Sequence, residues 1–213
     1  MKNIILWDIG NVMLKPIHGK ILNKIFENRN NNISIEEFRK ETSKILNDSF
    51  YGNISLENTW EKMFEIVKIT DNNIKYDIKN IEVVRNEELL SYIKDGLSKQ
   101  YKMGIISDLS QIGLSVVKTF YKDFLDFCDN ELVFISVFDR MTKKADKEKY
   151  FINIMQKIQN QNVLFIDDEV NNIEAAKKIG FDTILFDGGY SNWNKANRNL
   201  IEELKERNEN HYE

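Results

Sequence analysis

Hydrophobic residues occur along this chain in short continuous runs that each end at a polar or acidic residue. Four runs are clear, and a fifth at 131–136 is weaker. The clear runs are 3–7 before Asp8, 103–106 before Ser107, 163–166 before Asp167 and 183–186 before Asp187. Continuous apolar runs are typical of strands that are buried on both faces of a parallel sheet. The pattern therefore predicts a mainly parallel sheet.

Segments with helical periodicity separate these runs. The clearest are 87–99, 146–159 and 172–179. Strand and helix alternate in this way when helices cover both faces of a parallel sheet. We therefore predict an α/β fold with a Rossmann-like, doubly wound sheet.

The interval 16–82 breaks this alternation, because it contains several amphipathic helical segments and no convincing buried strand. Ser34 followed by Glu37 has the form of a capping box, and Ser55 followed by Asn58 marks a second helix start. We predict a small inserted helical cap at 15–89. Residues 1–14 and 90–213 are predicted to form the α/β core.

Composition narrows the classes of function. The chain has 213 residues, of which 42% are hydrophobic and 30% are charged, a balance that supports a globular fold. Its 30 basic and 34 acidic side chains give a net charge of −4. There is no excess of basic charge for binding a polyphosphate backbone, so nucleic acid is not expected as a partner.

The expected location is the cytoplasm. Cys128 is the single cysteine, so no internal disulfide can form, and this is typical of a reducing compartment. No stretch approaches the ~20 apolar residues of a membrane span, so no membrane association is expected. The oligomeric state is left open.

Polar side chains follow several strands of the predicted sheet where each strand ends. In an open α/β sheet, ligands bind outside the carboxyl ends of the strands. Asp8, Ser107, the pair Asp167–Asp168 and Asp187 should therefore lie at one edge. Adjacent carboxylates repel unless a cation lies between them or one is protonated. Because Mg²⁺ prefers oxygen ligands, the sequence predicts a Mg²⁺ site at this edge.

Four segments resemble, in order, the four motifs of the haloacid dehalogenase (HAD) superfamily. They are Ile-Leu-Trp-Asp-Ile-Gly-Asn-Val at 5–12, Ile-Ile-Ser-Asp at 105–108, Lys-Ala-Asp at 144–146 with Tyr150, and Phe-Ile-Asp-Asp-Glu-Val-Asn-Asn at 165–172. The position of the insertion is similar to that of the helical cap of subfamily IA. Gly-Asn-Val in the first motif and 51–55 look closest to bacterial sugar-phosphate phosphatases related to the N-terminal phosphatase domain of soluble epoxide hydrolases.

The resemblance implies a Mg²⁺-dependent phosphatase that hydrolyses a small phosphomonoester, with sugar phosphates as the leading class. It assigns Asp8 as the nucleophile that forms an aspartyl-phosphate, and Lys144 as the catalytic lysine beside it. The implied substrate and phosphate contacts are Ser107, Asp108 and Asn11. The implied metal ligands are Asp8, the backbone carbonyl of Gly10, Asp168 and Asp167.

The choice of catalytic lysine has an alternative, because Lys143 is adjacent to Lys144 and either could reach the site. The family pattern has an acidic residue two positions past the lysine and an aromatic residue six past it. Asp146 and Tyr150 fit that spacing from Lys144, which is therefore the expected lysine.

Gly10 departs from the pattern of the phosphatases. Typical members have a second aspartate there, which protonates the leaving group and later activates water, and glycine can do neither. Either the leaving group is stable as an anion, or another group, for which His18 is the candidate, replaces the acid. Two other functions stay open: a dehalogenase-type hydrolase that needs no metal, and a non-catalytic phosphate-binding protein.

Overall fold

A parallel sheet of five strands forms the centre of the computed structural model, which describes residues 4–159, 161–188 and 193–209. The strands are β1 (Ile4–Trp7), β2 (Lys102–Ser107), β3 (Cys128–Ile135), β4 (Val163–Asp167) and β5 (Asp182–Leu185). Their order is β3-β2-β1-β4-β5, and all four pairings are parallel. The predicted α/β class and parallel sheet are confirmed. Residue 3 of the first predicted run lies outside the described residues.

Helices connect consecutive strands of the sheet, and one more follows the last strand. The first four are α1 (His18–Glu27), α2 (Ile35–Phe50), α3 (Leu56–Ile66) and α4 (Asn72–Lys79). A further helical run comprises α5 (Glu87–Tyr92), a π-helical turn (Ile93–Leu97) and α6 (Ser98–Gln100). The others are α7 (Gln111–Phe120), α8 (Lys122–Leu125), α9 (Ser136–Asp139), α10 (Lys143–Lys157), α11 (Val170–Lys178) and α12 (Trp193–Glu209).

The sheet has a hydrophobic core on each face, because side chains alternate along a strand. In β1, Ile5 and Trp7 pack into one core, and Ile4 and Leu6 pack into the other. The first core extends to residues of α5, α7 and α12, and the second to residues of α10 and α11. Burial on both faces explains why the strands read as continuous apolar runs.

Helices α1 to α4 occupy the interval that was predicted as helical, and the predicted starts at Ser34 and Ser55 are confirmed. The Ser34 hydroxyl accepts the backbone N–H of Glu37, and the Ser55 hydroxyl accepts that of Asn58, both at 3.1 Å. The two ends of this interval lie side by side, since Leu14 and Arg85 form an antiparallel bridge. The assignment of 15–89 as a separate cap domain stays a prediction.

Helix α7 and the two short helices α8 and α9 were not predicted. The helix predicted at 146–159 begins earlier, at Lys143, because the Thr142 hydroxyl caps it by accepting the N–H of Ala145 at 3.0 Å. None of the helices in the described part combines the length and apolar composition that a bilayer crossing requires.

Candidate functional site

The carboxyl ends of β1 and β4 bring together the acidic residues that the sequence placed at one edge. These strands are neighbours at the point where the strand order reverses, which is the usual ligand position in such sheets. One carboxylate oxygen from each of Asp8, Asp167 and Asp168 lies within 4.8 Å of the other two. Asp187 is exposed at the end of β5 and is outside this cluster. We call the three-carboxylate cluster the acidic site.

A lysine lies inside the acidic site, and it is Lys143. Its Nζ is 2.7 Å from Oδ1 of Asp8 and 2.5 Å from Oδ2 of Asp167, and its side chain is only 3% exposed. Lys144 is exposed and makes none of these contacts in the described structure. The sequence-based choice of Lys144 as the lysine beside Asp8 is therefore corrected to Lys143.

The first turn of α10 explains why Lys143 faces inward. Asp108 accepts the backbone N–H of Lys143 at 2.8 Å with one carboxylate oxygen and that of Lys144 at 3.2 Å with the other. This contact fixes the orientation of the turn. Lys147 then has φ 44° and ψ −125°, which interrupts the helix before Tyr150. Because the helix is interrupted between the lysines and Tyr150, a fixed number of residues back from Tyr150 does not identify the lysine that faces inward.

Asp167 is fully buried, and several donors hold its carboxylate. Besides Lys143, it accepts the backbone N–H of Glu169 at 2.7 Å and the amide of Asn172, whose Nδ2 is 3.1 Å from both oxygens. Asn172 therefore acts directly on the carboxylate of Asp167. The result is a carboxylate with a fixed orientation at the base of the acidic site.

Asp168 is half-buried and therefore more exposed than Asp167. Its Oδ2 accepts the side-chain amide of Asn11 at 2.8 Å. Asn11 has φ 56°, a conformation that asparagine tolerates better than most residues. The structure thus places Asn11, which the sequence assigned to substrate, against a predicted metal ligand. Its Oδ1 is buried and has no hydrogen-bond partner among the described residues.

Burial and charge shift the pKa values of Asp8, Asp108, Asp168 and Lys143. The pKa of Asp8 rises from 3.8 to about 7, mainly because burial disfavours the carboxylate, and Lys143 opposes this rise. Burial likewise raises the pKa values of Asp108 and Asp168. The pKa of Lys143 is raised, because the neighbouring carboxylates of Asp167 and Asp8 outweigh its own burial. The lysine is therefore a fixed cation at neutral pH.

Ser107 and Gly10 complete the surroundings of Asp8. Ser107 ends β2, is 1% exposed, and its hydroxyl hydrogen-bonds to Asp8, which lowers the aspartate pKa. The Gly10 carbonyl accepts the N–H of Val12 at 2.7 Å. Since a carbonyl oxygen has two lone pairs, one of them stays available for a cation.

These residues line a pocket of about 360 Å³, which we call the acidic pocket. Its lining residues are Asp8, Gly10, Ser107, Asp108, Lys143, Lys144, Lys147, Glu169, Asn171 and Asn172. A cavity of this volume lies within the range of small-molecule sites.

His18 does not fit the role of a replacement acid. Its Nε2 is 2.7 Å from the hydroxyl of Ser110, and its ring contacts that of Phe50 at 5.5 Å between centroids. Burial lowers the pKa of His18 to about 4, so the ring is neutral at pH 7 and is a poor proton donor. The acidic pocket has no contribution from His18 in the described part of the chain.

The acidic site fits a divalent cation by its chemistry. All its ligand atoms are carboxylate oxygens, the type that Mg²⁺ prefers. Three carboxylates face one buried ammonium, that of Lys143, so the ionised cluster has a surplus of negative charge. A cation with two charges would balance that surplus.

No protein-family model and no curated protein sequence matches the chain. Solved structures do match: a HAD family enzyme from Bacteroides thetaiotaomicron has a TM-score of 0.73 at 17% identity, over 90% of this chain and 96% of that chain. A structure of that enzyme in complex with magnesium and inorganic phosphate gives 0.71 at 17%, over 92% and 98%. A HAD-like family hydrolase from Porphyromonas gingivalis gives 0.67 at 20%, over 94% and 98%. The chain therefore has the fold of HAD family enzymes.

Proposed function

We propose that this protein is a Mg²⁺-dependent phosphatase of the HAD type, which hydrolyses a small phosphomonoester through an aspartyl-phosphate on Asp8. The observation that carries the proposal is the buried cluster of Lys143 with Asp8 and Asp167 at the carboxyl ends of parallel strands. Support comes from the shared fold, since the Bacteroides enzyme binds magnesium and inorganic phosphate in its crystal structure.

The residues that would hold the metal differ in how freely their oxygens are available. Asp8 lines the acidic pocket, Asp168 has a carboxylate oxygen within 4.8 Å of that of Asp8, and the Gly10 carbonyl has a free lone pair. Asp167 already accepts hydrogen bonds from Lys143, Glu169 and Asn172, so it suits a position behind the direct ligands. When bound, Mg²⁺ would neutralise negative charge between the nucleophile and the phosphoryl group.

In the first step, a carboxylate oxygen of Asp8 forms a bond to phosphorus while the bond from phosphorus to the leaving oxygen breaks. Lys143 favours the ionised form of Asp8 and offers positive charge to the phosphoryl oxygens, and the Ser107 hydroxyl can donate to one of them. In the second step, water attacks phosphorus, the bond to Asp8 breaks and inorganic phosphate leaves. Phosphoryl transfer depends mainly on such positioning and charge stabilisation.

The glycine at position 10 restricts the substrate. General acid catalysis typically contributes ~10²–10⁴-fold to the rate, and no side chain at this position can supply it. The leaving oxygen must then depart as an anion that is already stable. Anomeric sugar phosphates, acyl phosphates and aryl phosphates meet this condition. We propose that the substrate is a small phosphate compound of one of these classes.

Hydrolysis of p-nitrophenyl phosphate tests the proposal, because its leaving group needs no general acid. We expect activity with Mg²⁺, none with EDTA, and none from Asp8→Asn. Activity that survives in EDTA and is lost in Asp8→Asn would contradict the metal requirement. If no phosphate is released, chloride release from a 2-chloro acid without metal would identify the dehalogenase alternative.

A further inference from the structure

A second pocket, of about 620 Å³, adjoins the acidic pocket between α2 and the first turn of α10. We call it the cleft. Asp108 and Lys144 line both pockets, so the two are neighbours along this pair of residues. The other lining side chains that matter for a ligand are Leu46, Phe50 and Tyr51, which are largely apolar, and Ser43 and Asn47, which are polar. A phosphoryl group at Asp8 would leave the remainder of its substrate near this cleft.

The cleft contains one ammonium group that has no direct partner among the described residues. Asp108 and Lys144 are its charged lining residues, and both carboxylate oxygens of Asp108 accept backbone N–H groups at the start of α10. The ammonium of Lys144, in contrast, has no ion-pair or hydrogen-bond partner within the described residues. A cation beside an apolar wall is suited to a ligand with a carbon body and an anionic end.

Hydrogen bonds at the end of α2 fix the width of the cleft. The Ser49 hydroxyl accepts the N–H of Gln111 at 2.9 Å, and the Tyr51 hydroxyl is 3.4 Å from that of Thr142. These contacts hold the end of α2 against the sheet-bearing part of the chain. Phe50 and Tyr51 therefore stay opposite Lys144 across the cleft.

We propose that the leaving group of the substrate lies in the cleft and carries a second anionic group, a carboxylate or a phosphate, which Lys144 binds. This inference rests on the proposed phosphatase function. It assigns Lys144 to the recognition of the leaving group, distinct from the role of Lys143 at Asp8. The substrate class is then a phosphomonoester with a further acidic group.

Three aryl phosphates test this assignment: 4-carboxyphenyl phosphate, its neutral analogue 4-carbamoylphenyl phosphate, and 1,4-phenylene bisphosphate. Their phenols leave without a general acid, and the first two have nearly the same shape. The quantity measured is the ratio of kcat/KM for each anionic compound to kcat/KM for the neutral one. The first ratio reports carboxylate recognition and the second reports phosphate recognition.

In Lys144→Gln we expect one or both ratios to fall by about three- to fivefold, the upper range for an ion pair that water reaches. The fall should reside in KM and shrink at high salt, because exposed charges are screened. Lys144→Arg should restore the ratio. Lys149→Gln is the matched control, since Lys149 is an exposed lysine on the same helix that lines neither pocket.

Two results would overturn the inference. Ratios that are the same in Lys144→Gln and the wild type would show that Lys144 does not read the leaving group. An equal loss for charged and neutral compounds would show that Lys144 acts on the phosphoryl group. Failure of the phosphatase proposal is distinguishable, because none of the three compounds would then show hydrolysis that depends on Asp8.

Discussion

The ammonium of Lys143 lies 2.7 Å from Oδ1 of Asp8, and the two side chains are only 3% and 9% exposed. Burial of a carboxylate favours its protonated form, and a buried cation next to it favours the ionised form. Lys143 therefore decides how much of the Asp8 nucleophile is available at neutral pH. The lysine and the aspartate act as one unit, which also includes Asp167.

Replacing Lys143 by methionine should separate its role from that of Lys144. Lys143→Met leaves the carboxylates of Asp8 and Asp167 buried without a cation, and the free energy of unfolding should fall by about 3 kcal/mol. Lys144→Met changes an exposed side chain, so its effect should stay within about 0.5 kcal/mol. Urea unfolding in EDTA at pH 8 measures both values. Equal destabilisation by the two variants would contradict the assignment.

The same pair of variants checks catalysis. Without Lys143, hydrolysis of p-nitrophenyl phosphate should fall by about 100-fold or more, the typical loss when one charge-stabilising group is removed. Lys144→Met should keep most of this activity, because the p-nitrophenyl group carries no carboxylate or phosphate for Lys144 to bind. A larger loss in Lys144→Met than in Lys143→Met would return the catalytic role to Lys144.

Much of the acidic site could be predicted from the sequence. Asp8, Asp167 and Asp168 each follow an apolar run, and the carboxyl ends of parallel strands must share one edge. That inference needs strand ends and strand direction only, both of which are local properties. It does not need the positions of any helix.

The identity of the lysine could not be predicted in this way. Lys143 and Lys144 differ in orientation by one helical step, and that orientation depends on Asp108, which follows β2 and is distant in the sequence. The break at Lys147 also removes the regular spacing on which the choice of Lys144 relied. The cleft, which depends on how α2 packs, was likewise beyond the sequence pattern.

Asp8 should make the stability of the metal-free protein depend on pH. The ordinary pKa of this carboxyl group is 3.8, and burial raises it to about 7 in the folded protein. Between these values the folded state holds a proton that the unfolded state does not, so the contribution of Asp8 to stability falls as pH rises. Three pKa units correspond to at most about 4 kcal/mol.

Asp8→Asn provides the comparison, because asparagine resembles the protonated aspartate and does not titrate. The variant should become more stable than the wild type as pH increases from 5 to 8, with the free energy of unfolding measured in EDTA. Mg²⁺ should reduce the difference by stabilising the ionised wild type. Parallel stability curves for the two proteins would show that Asp8 does not titrate in this range.

Asn172 should stabilise the folded protein, because its side-chain amide donates to both carboxylate oxygens of the fully buried Asp167. Asn172→Ala removes this donor, and loss of a buried hydrogen bond to a charged group costs about 1–3 kcal/mol. Asn171→Ala is the control, since Asn171 is exposed and its change should stay within about 0.5 kcal/mol. Thermal or urea unfolding of both variants measures the difference. Equal values would mean that Asn172 does not support Asp167.

Gly52 sets how closely the end of α2 approaches α9, because it has φ 66° and packs against backbone. A Cβ at this position would lie 2.4 Å from the carbonyl oxygen of Val137, which cannot move aside as a flexible side chain could. Gly52→Ala should therefore lower the free energy of unfolding by about 2 kcal/mol. It should also raise KM for p-nitrophenyl phosphate, since the adjacent Tyr51 lines the cleft.

Gly19→Ala is the matched control for this substitution. Gly19 lies in α1, and a Cβ there would meet nothing within 4 Å. Alanine is the better helix former, so this variant should be more stable than the wild type by about 0.5 kcal/mol, with KM unchanged. Opposite signs for the two glycine substitutions would show that contact between α2 and α9 limits position 52. A neutral Gly52→Ala would mean that α2 can move away from α9 at little cost, and the cleft would then have no fixed width.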